Sequence, residues 1–181
     1  MGLVEAKLKI LEQLWEDQEP KRAKDVAQRM NLGVSATTMH LLGLKKLGYV
    51  YTPKHGYYAI TDLGKETLGL PKIDKAHASK ILSNLPHDKA FHFYTDIHQY
   101  THVHADSLTD FYDKIQKIDV KSVEFHVPRK DFEHWVRSLG DVELAKRLGL
   151  IRGMHLYGEE LRTKIHETLK QRLEELKQIP I

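Results

Sequence analysis

Residues 24–68 read KDVAQRMNLGVSATTMHLLGLKKLGYVYTPKHGYYAITDLGKETL, and this stretch decides the fold of the first half of the chain. Its apolar residues up to Met30 recur at helical spacing, which predicts a short helix. A turn follows, in which we expect Gly33 to take the positive φ that a tight connection between two helices needs. Ser35 then starts a second predicted helix over residues 35–47, where its hydroxyl can cap free backbone N–H groups.

The apolar residues of this second helix predict which of its faces is buried. Met39, Leu42 and Leu47 lie at helical spacing, so we expect them to face the core. The other faces would then carry Thr37, Thr38, His40, Leu41 and Lys45. This assignment decides which side chains are available to a partner.

A strand, turn and strand pattern follows the helix. The aromatic segments around Val50 and Tyr57–Ile60 flank a Pro53–Gly56 turn, which predicts a β-hairpin. Upstream, a first helix from Leu3 to Trp15 carries an apolar stripe, and Pro20 ends that pattern. The stripe consists of Val4, Leu8, Leu11 and Trp15. Residues 21–22 either open the helix that runs to Met30 or pair as a short strand with the hairpin.

The order of these parts resembles the winged helix-turn-helix domain of small transcription regulators over residues 3–70. The resemblance implies that the 35–47 helix enters the major groove of double-stranded DNA with its N-terminal end at the base edges, while the Pro53–Gly56 wing follows the backbone. Short hydroxyl side chains would contact bases, and lysines would contact phosphates. The DNA-binding residues expected on this basis are Ser35, Thr37, Thr38, His40, Lys45, Lys46, Lys54 and His55.

The distribution of charge supports a nucleic-acid partner. Residues 20–58 contain seven Lys and Arg residues against one Asp, a net charge of +6, whereas residues 76–181 contain sixteen basic and sixteen acidic residues. A basic patch confined to one domain is the electrostatic pattern of a phosphate-binding surface. The alternative is a protein-interaction module of the same fold that does not bind DNA.

Composition limits the remaining function classes. With no cysteine, the chain has no disulfide, thiol nucleophile or thiolate metal site. No apolar run approaches the roughly 20 residues that span a bilayer, and the N-terminus reads as an amphipathic helix instead of a secretion signal. The sequence contains neither a glycine-rich phosphate loop nor a nucleophile elbow. We therefore expect a cytoplasmic protein without membrane association, cofactor or enzymatic activity.

The second half is predicted to be mostly helical, with a possible strand at residues 90–95 and a loop or extended segment at 98–104. Residues 71–89 read as a connector with one short helix, and residues 90–181 as a helical domain for dimerisation or effector sensing. Over residues 90–177 the chain resembles an uncharacterised, mostly helical domain of archaeal and bacterial proteins, which implies a fold and no chemistry. The matching residues are Ser122, Glu124-Phe125-His126, Arg129, Asp131-Phe132, Trp135 and Leu144-Ala145. The whole chain is thus expected to be mainly α, a winged helix with a small β-hairpin followed by a helical C-terminal domain.

Three groups in this half are candidates for a further role. In the His-rich segment 92–104, His98, His102 and His104 form a local cluster that could hold a metal or ligand with Asp96 or Asp106. The favoured alternative is that they are solvated or hydrogen-bonded loop histidines. His126, Arg129 and Asp131 could hold an anion or orient a base, or could simply be structural. The last helix, 159–178, carries a stripe that packs on its own domain or on a twin helix in a homodimer. The stripe residues are Leu161, Ile165, Leu169, Leu173 and Leu176.

Overall fold

Short helices make up most of the chain. The computed structural model describes residues 3–179, and side chains from Glu5 onward. It is mainly helical with two small antiparallel sheets, and it divides into one unit of residues Met1–Lys72 and another of Ile73–Ile181. Residues 1, 2, 180 and 181, which the predicted domain limits include, lie outside the described residues.

The first unit contains helices and one three-stranded sheet. Its elements are α1 (Leu3–Asp17), β1 (Lys21–Arg22), α2 (Ala23–Arg29), α3 (Val34–Lys46), β2 (Val50–Lys54), β3 (Tyr57–Ile60) and α4 (Asp62–Thr67). The strand order is β1-β3-β2, and both pairings are antiparallel. Lys21 pairs with Tyr58, so residues 21–22 adopt the strand alternative of the two that the sequence allowed.

The turn between α2 and α3 differs from the prediction. Gly33 has φ −65°, while Asn31 takes the left-handed conformation with φ 51°. Asparagine tolerates this region better than most residues because its side chain can hydrogen-bond locally. Gly33 is itself the N-cap of α3, and the helix begins at Val34 instead of Ser35.

Helix α3 is rotated relative to the prediction. Thr37, Leu41 and Leu44 are fully buried, and the two leucines join a core with Ile10, Leu11, Leu14, Val26 and Val50. The predicted core residues are instead exposed: Met39 by 69%, Leu42 by 47% and Leu47 by 56%. In α1, Leu8 is exposed and Leu11 is buried, while the side chain of Val4 lies outside the described residues. The predicted face of α3 was therefore wrong.

The second unit consists of helices around one β-hairpin. Its elements are α5 (Lys75–Ile81), β4 (Phe91–Asp96), β5 (Gln99–Ala105), α6 (Leu108–Ile115), α7 (Val120–His126), α8 (Asp131–Leu139), α9 (Val142–Gly153) and α10 (Gly158–Lys177), with a short 3₁₀ helix at His87–Lys89. Ser107 caps α6, its hydroxyl accepting from Asp110 N at 3.1 Å. Gly140, at φ 100°, ends α8. The possible strand at residues 90–95 and the loop or extended segment at 98–104 correspond to β4 and β5, but their pairing as a hairpin was not predicted.

An aromatic and aliphatic core holds this second unit together. Most ring contacts in this core are edge-on or tilted, and Phe93 and Phe111 are stacked with centroids 5.5 Å apart; both arrangements suit aromatic quadrupoles. The rings are those of Phe91, Phe93, Phe111, Phe132 and Trp135. The apolar stripe of α10 belongs to the same core, since none of its five residues is more than 4% exposed. The stripe packs within its own unit and is therefore not available to a twin helix.

Residues 73–89 also belong to the second unit. Ala78 and Ile81 of α5 are buried in its core, and Leu85 N donates to Asp106 O at 2.7 Å. Across residues 3–179, no helix combines the length and apolar content that crossing a bilayer requires.

Candidate nucleic-acid interface

The exposed face of α3 differs from the one expected from sequence. Ser35, Met39, Leu42 and Lys46 lie on the solvent side, at the helical spacing of one face. Thr37 points to the opposite side and is fully buried, so it cannot touch a partner. The prediction that Thr37 contacts DNA was therefore wrong, because α3 is rotated relative to the orientation expected from its apolar spacing.

Two of the other predicted base-contacting residues have restricted side chains. The Thr38 hydroxyl donates to Val34 O at 2.8 Å, which leaves only its acceptor capacity for a partner. His40 is half-buried, whereas Ser35 is exposed. The hydroxyl contacts available on α3 therefore come from Ser35 and, as an acceptor, from Thr38.

The last turn of α3 presents two exposed lysines, Lys45 and Lys46. Neither forms an ion pair with any residue in the described part of the chain. A third lysine lies near the same helix, because Lys7 Nζ of α1 is 3.8 Å from the position that a Cβ on Gly43 would take. The sequence did not indicate Lys7, since its position depends on how α1 packs on α3.

A second group of cations surrounds Tyr57 at the end of the sheet. Arg22 Nε donates to the Tyr57 hydroxyl at 2.8 Å, with Cζ 5.0 Å from the ring centroid. Lys54 Nζ lies 5.5 Å from the same centroid. Sequence reasoning missed Arg22 as a site residue; the β1–β3 pairing that brings it opposite Tyr57 was only one of two alternatives. His55 is exposed in the neighbouring turn, before Gly56 with φ 78°.

Not all of the +6 charge is free to act on a partner. Arg29 pairs with Asp17 of α1, and Lys21 Nζ lies 4.0 Å from Glu19. Of the five cations that remain, Lys45 and Lys46 lie on the last turn of α3, Arg22 and Lys54 lie around Tyr57, and Lys24 is exposed on α2. Four of the seven basic residues of this stretch therefore form two cationic groups.

The predicted histidine cluster does not assemble in the second unit. His98 lies in the β4–β5 turn, His102 is exposed beside Tyr100 with φ 60°, and His104 faces other partners. The β4–β5 register pairs His92 with His104, and both rings contact His87 at centroid distances of 4.8 and 4.7 Å. Within residues 3–179, no group of three or more ligand residues is arranged to hold a metal ion.

His126 is held by hydrogen bonds at both ring nitrogens. Nε2 accepts from Tyr94 N at 2.9 Å, which assigns the proton to Nδ1, and Nδ1 donates to Asp131 Oδ2 at 2.7 Å. Arg129 Nε donates to the same oxygen at 3.2 Å. Burial lowers the pKa of His126 despite the carboxylate beside it. A neutral imidazole with both nitrogens occupied ties β4 to α8 and has no free nitrogen for proton transfer.

A family of unknown function, DUF5752, matches residues 54–170 of the chain. The matched segment begins at the last residue of β2 and ends inside α10, so it includes the His126 and Asp131 pair. No curated protein and no solved structure matches the chain. Because the match covers more than half of the residues, the chain belongs to the DUF5752 family, to which no function is assigned.

Proposed function

We propose that the first unit is a winged helix-turn-helix domain and that the protein binds double-stranded DNA as a transcriptional regulator. The support is the order helix, strand, two helices and two strands, with the first strand adding to the hairpin in the order β1-β3-β2. In domains of this kind the second helix of the helix-turn-helix, here α3, lies in the major groove.

The exposed face of α3 suits a groove in part. Ser35 and Thr38 offer hydroxyl contacts, and Met39 and Leu42 offer apolar contacts of the kind that thymine methyl groups accept. The face carries no Arg, Asn or Gln, the residues that read bases through paired hydrogen bonds. We therefore expect modest sequence preference, with DNA shape contributing to recognition.

The observation that carries the proposal is the position of the cations. Lys45 and Lys46 extend from the last turn of α3, while Arg22 and Lys54 surround Tyr57 at the hairpin end. Cations on a helix and on an adjoining hairpin are what a duplex backbone would contact on both sides of a groove. Each neutralised phosphate releases counterions, so binding through these residues must weaken with salt.

The test is the salt dependence of binding to a fluorescent duplex, followed by anisotropy. Replacing Lys45, Lys46 and Lys54 together by alanine should reduce the slope of log K against log salt by up to about three, since each phosphate contact contributes about 0.9. Affinity should fall on every duplex sequence to a similar extent, because phosphate contacts do not read bases.

A charge-matched variant provides the control. Lys80, Lys117 and Lys121 are exposed lysines of the second unit, and their triple alanine variant loses the same charge. It should bind with the slope of the unmodified protein. Equal loss of slope in both variants, or no binding of the unmodified protein at low salt, would contradict the proposal.

A second candidate, a protein-interaction module, is favoured by one observation. Met39 and Leu42 are 69% and 47% exposed at the centre of the solvent face of α3, where apolar side chains suit a protein partner as well as a groove. Replacing both by serine would abolish a salt-insensitive protein contact. In a DNA-binding protein the same change would alter sequence preference and leave the salt slope intact.

We also propose that the DNA-bound form is a homodimer, because dimers with two-fold symmetry commonly bind two half-sites about one DNA turn apart. The stripe of α10 cannot supply its interface, since that stripe is buried within its own unit. Protection of two half-sites separated by 10–10.5 base pairs in a footprint would support the dimer.

A further inference from the structure

A cleft in the second unit lies between the β4 strand, the end of α7 and the start of α8. Its volume is about 350 Å³, within the range of roughly 300–1,000 Å³ that holds small-molecule ligands. Phe91, Tyr94 and Phe125 supply aromatic surface, and Ile97 adds an aliphatic side chain from the β4–β5 turn. The walls therefore suit a planar, apolar ring.

One cation on the wall of this cleft is fixed in position. The Arg129 guanidinium carbon lies 4.9 Å from the centroid of Phe125, and its Nε donates to Asp131 Oδ2. The two terminal nitrogens form no hydrogen bond with other residues between 3 and 179, and the side chain is 52% exposed. A planar guanidinium held in this way is pre-organised for a carboxylate, which it can bind through two parallel hydrogen bonds.

The other polar groups of the cleft are already in use. His126 is bonded at both nitrogens, and His92 contacts Tyr100 Oη through Nδ1 and His87 O through Nε2. Asp131 Oδ2 accepts hydrogen bonds from both His126 and Arg129. Both contacts fall on Oδ2, so the terminal nitrogens of Arg129 and the Oδ1 atom of Asp131 are the polar groups left for a ligand.

From these contacts we infer that the cleft beside Arg129 binds a small aromatic carboxylic acid, with its ring among Phe91, Tyr94 and Phe125 and its carboxylate on the Arg129 terminal nitrogens. The inference does not rest on DNA binding. Asp131 Oδ1 has no hydrogen-bond partner within the described residues, so an α-ammonium group can also be accommodated there. The ligand chemistry can accordingly come from a free aromatic acid or from an aromatic amino acid.

The experiment is a titration of the full-length, ¹⁵N-labelled protein followed by two-dimensional NMR. 3-Phenylpropanoate should shift the Arg129 Nε–H signal and the amides of Tyr94 and Ile97 in a saturable manner. Propanoate lacks the ring and 3-phenylpropan-1-amine reverses the charge, so each should bind at least about tenfold more weakly. L-Phenylalanine distinguishes the two possible ligands. If it binds as tightly as 3-phenylpropanoate, the ligand is an aromatic amino acid; if it binds more weakly, the ligand is a free aromatic acid.

Two arginine variants separate the site from general effects of charge. Arg129→Gln should weaken 3-phenylpropanoate at least about tenfold, and Arg129→Lys should be intermediate because an ammonium keeps the charge but not the planar geometry. Arg137→Gln removes an exposed arginine of α8 and should leave binding unchanged. A dispersed spectrum of each variant verifies its fold.

Three results would overturn the inference. The first is the absence of saturable shifts up to about 10 mM ligand, which corresponds to negligible affinity. The second is a set of shifts that maps away from the cleft. The third is an equal loss of affinity in Arg129→Gln and Arg137→Gln.

Discussion

Arg172 of α10 is the centre of a buried ionic network, and its removal should destabilise the second unit strongly. Its Nε and Nη2 donate to the two oxygens of Asp141 at 2.8 and 2.9 Å, and Nη1 donates to Glu143 and Glu175. The side chains of Arg172 and Asp141 are 6% and 0% exposed. Burial alone would lower the pKa of Arg172, but the hydrogen bond and charge of Asp141 outweigh it and raise the pKa above its usual value.

The magnitude follows from what Arg172→Met leaves behind. Of its partners among residues 3–179, Asp141 would keep only the Leu144 N–H at 2.9 Å, so its carboxylate would be buried without a countercharge from this part of the chain. Breaking a buried pair on one side costs about 3–5 kcal/mol. A unit of this size is stable by about 5–15 kcal/mol, so the loss is a large fraction of the total. At about 2 kcal/mol per molar urea, the unfolding midpoint should fall by about 2 M.

Tryptophan fluorescence allows the unfolding of the second unit to be measured separately. Of the two tryptophans, Trp135 lies in the core of the second unit, where its Nε1 donates to Lys89 O at 3.0 Å. Trp15 lies in α1 of the first unit. In a Trp15→Phe background, urea unfolding followed by fluorescence therefore reports on the unit that contains Arg172.

Two further variants test the electrostatic explanation. Arg137→Met, at an exposed position of α8, should change the free energy of unfolding by less than about 0.5 kcal/mol. Asp141→Asn, added to Arg172→Met, should recover about 1–2 kcal/mol, because it removes the buried charge and keeps an oxygen to cap Leu144. If Arg172→Met left the midpoint within about 0.5 M, or if the added Asn recovered nothing, the reasoning would be refuted.

Three other changes have defined outcomes. A Cβ on Gly64 would overlap the backbone carbonyl of Tyr49, so Gly64→Ala should cost the first unit more than about 2 kcal/mol by Trp15 fluorescence. Gly33→Ala meets no atom within 4 Å and should cost at most about 1 kcal/mol, the difference between glycine and alanine at an N-cap. Thr37→Val removes a buried hydroxyl that has no partner among the described residues. It should raise the urea midpoint by the equivalent of about 1 kcal/mol and leave the proposed DNA binding unchanged. Because burial lowers the pKa of His126, the unfolded chain takes up its proton at a higher pH than the folded chain. The contribution of His126 to stability is therefore complete above the unfolded pKa of about 6.5 and is lost as pH falls through the folded pKa. His126→Gln should accordingly flatten the decrease in the urea unfolding midpoint between about pH 7 and 5.

Local chemistry made several elements predictable. The Ser107 hydroxyl accepts a backbone N–H at the start of α6, and the apolar residues that follow at helical spacing are buried. Gly140 ends α8 because it takes a left-handed conformation that most residues avoid. In each case a single residue type carries a conformational preference strong enough to read without knowledge of the tertiary structure.

The face of α3 was not predictable from its apolar spacing alone. Met39, Leu42 and Leu47 form one helical set, and Leu41 and Leu44 form another. Packing against α1 and α2 selects the second set, and it buries Thr37, whose hydroxyl argued for exposure. Hydrophobic periodicity fixes the existence of a helix, but two overlapping stripes leave its rotation to the neighbouring elements.

The contacts of the second unit that define the cleft depend on strand pairing. His92 meets His104 through the β4–β5 register, and Tyr94 meets His126 across 32 positions of sequence. The sequence indicates a possible strand at residues 90–95 and a loop or extended segment at 98–104. No tight-turn signal such as Asn-Gly joins the two segments, so the sequence does not predict that they pair. Sequence proximity did bring together His126, Arg129 and Asp131, because a single short loop separates α7 from α8.

The strand register of the first unit has a practical consequence for expressing pieces of this protein. A fragment cut at the limits of the family match would start at Lys54, leaving β3 without the strands on either side of it. It would also stop before Leu173 and Leu176, which close one end of the second core. Domain limits drawn from matched residues would therefore yield an aggregation-prone piece with an open sheet edge, whereas a cut between residues 72 and 73 leaves both hydrophobic clusters whole.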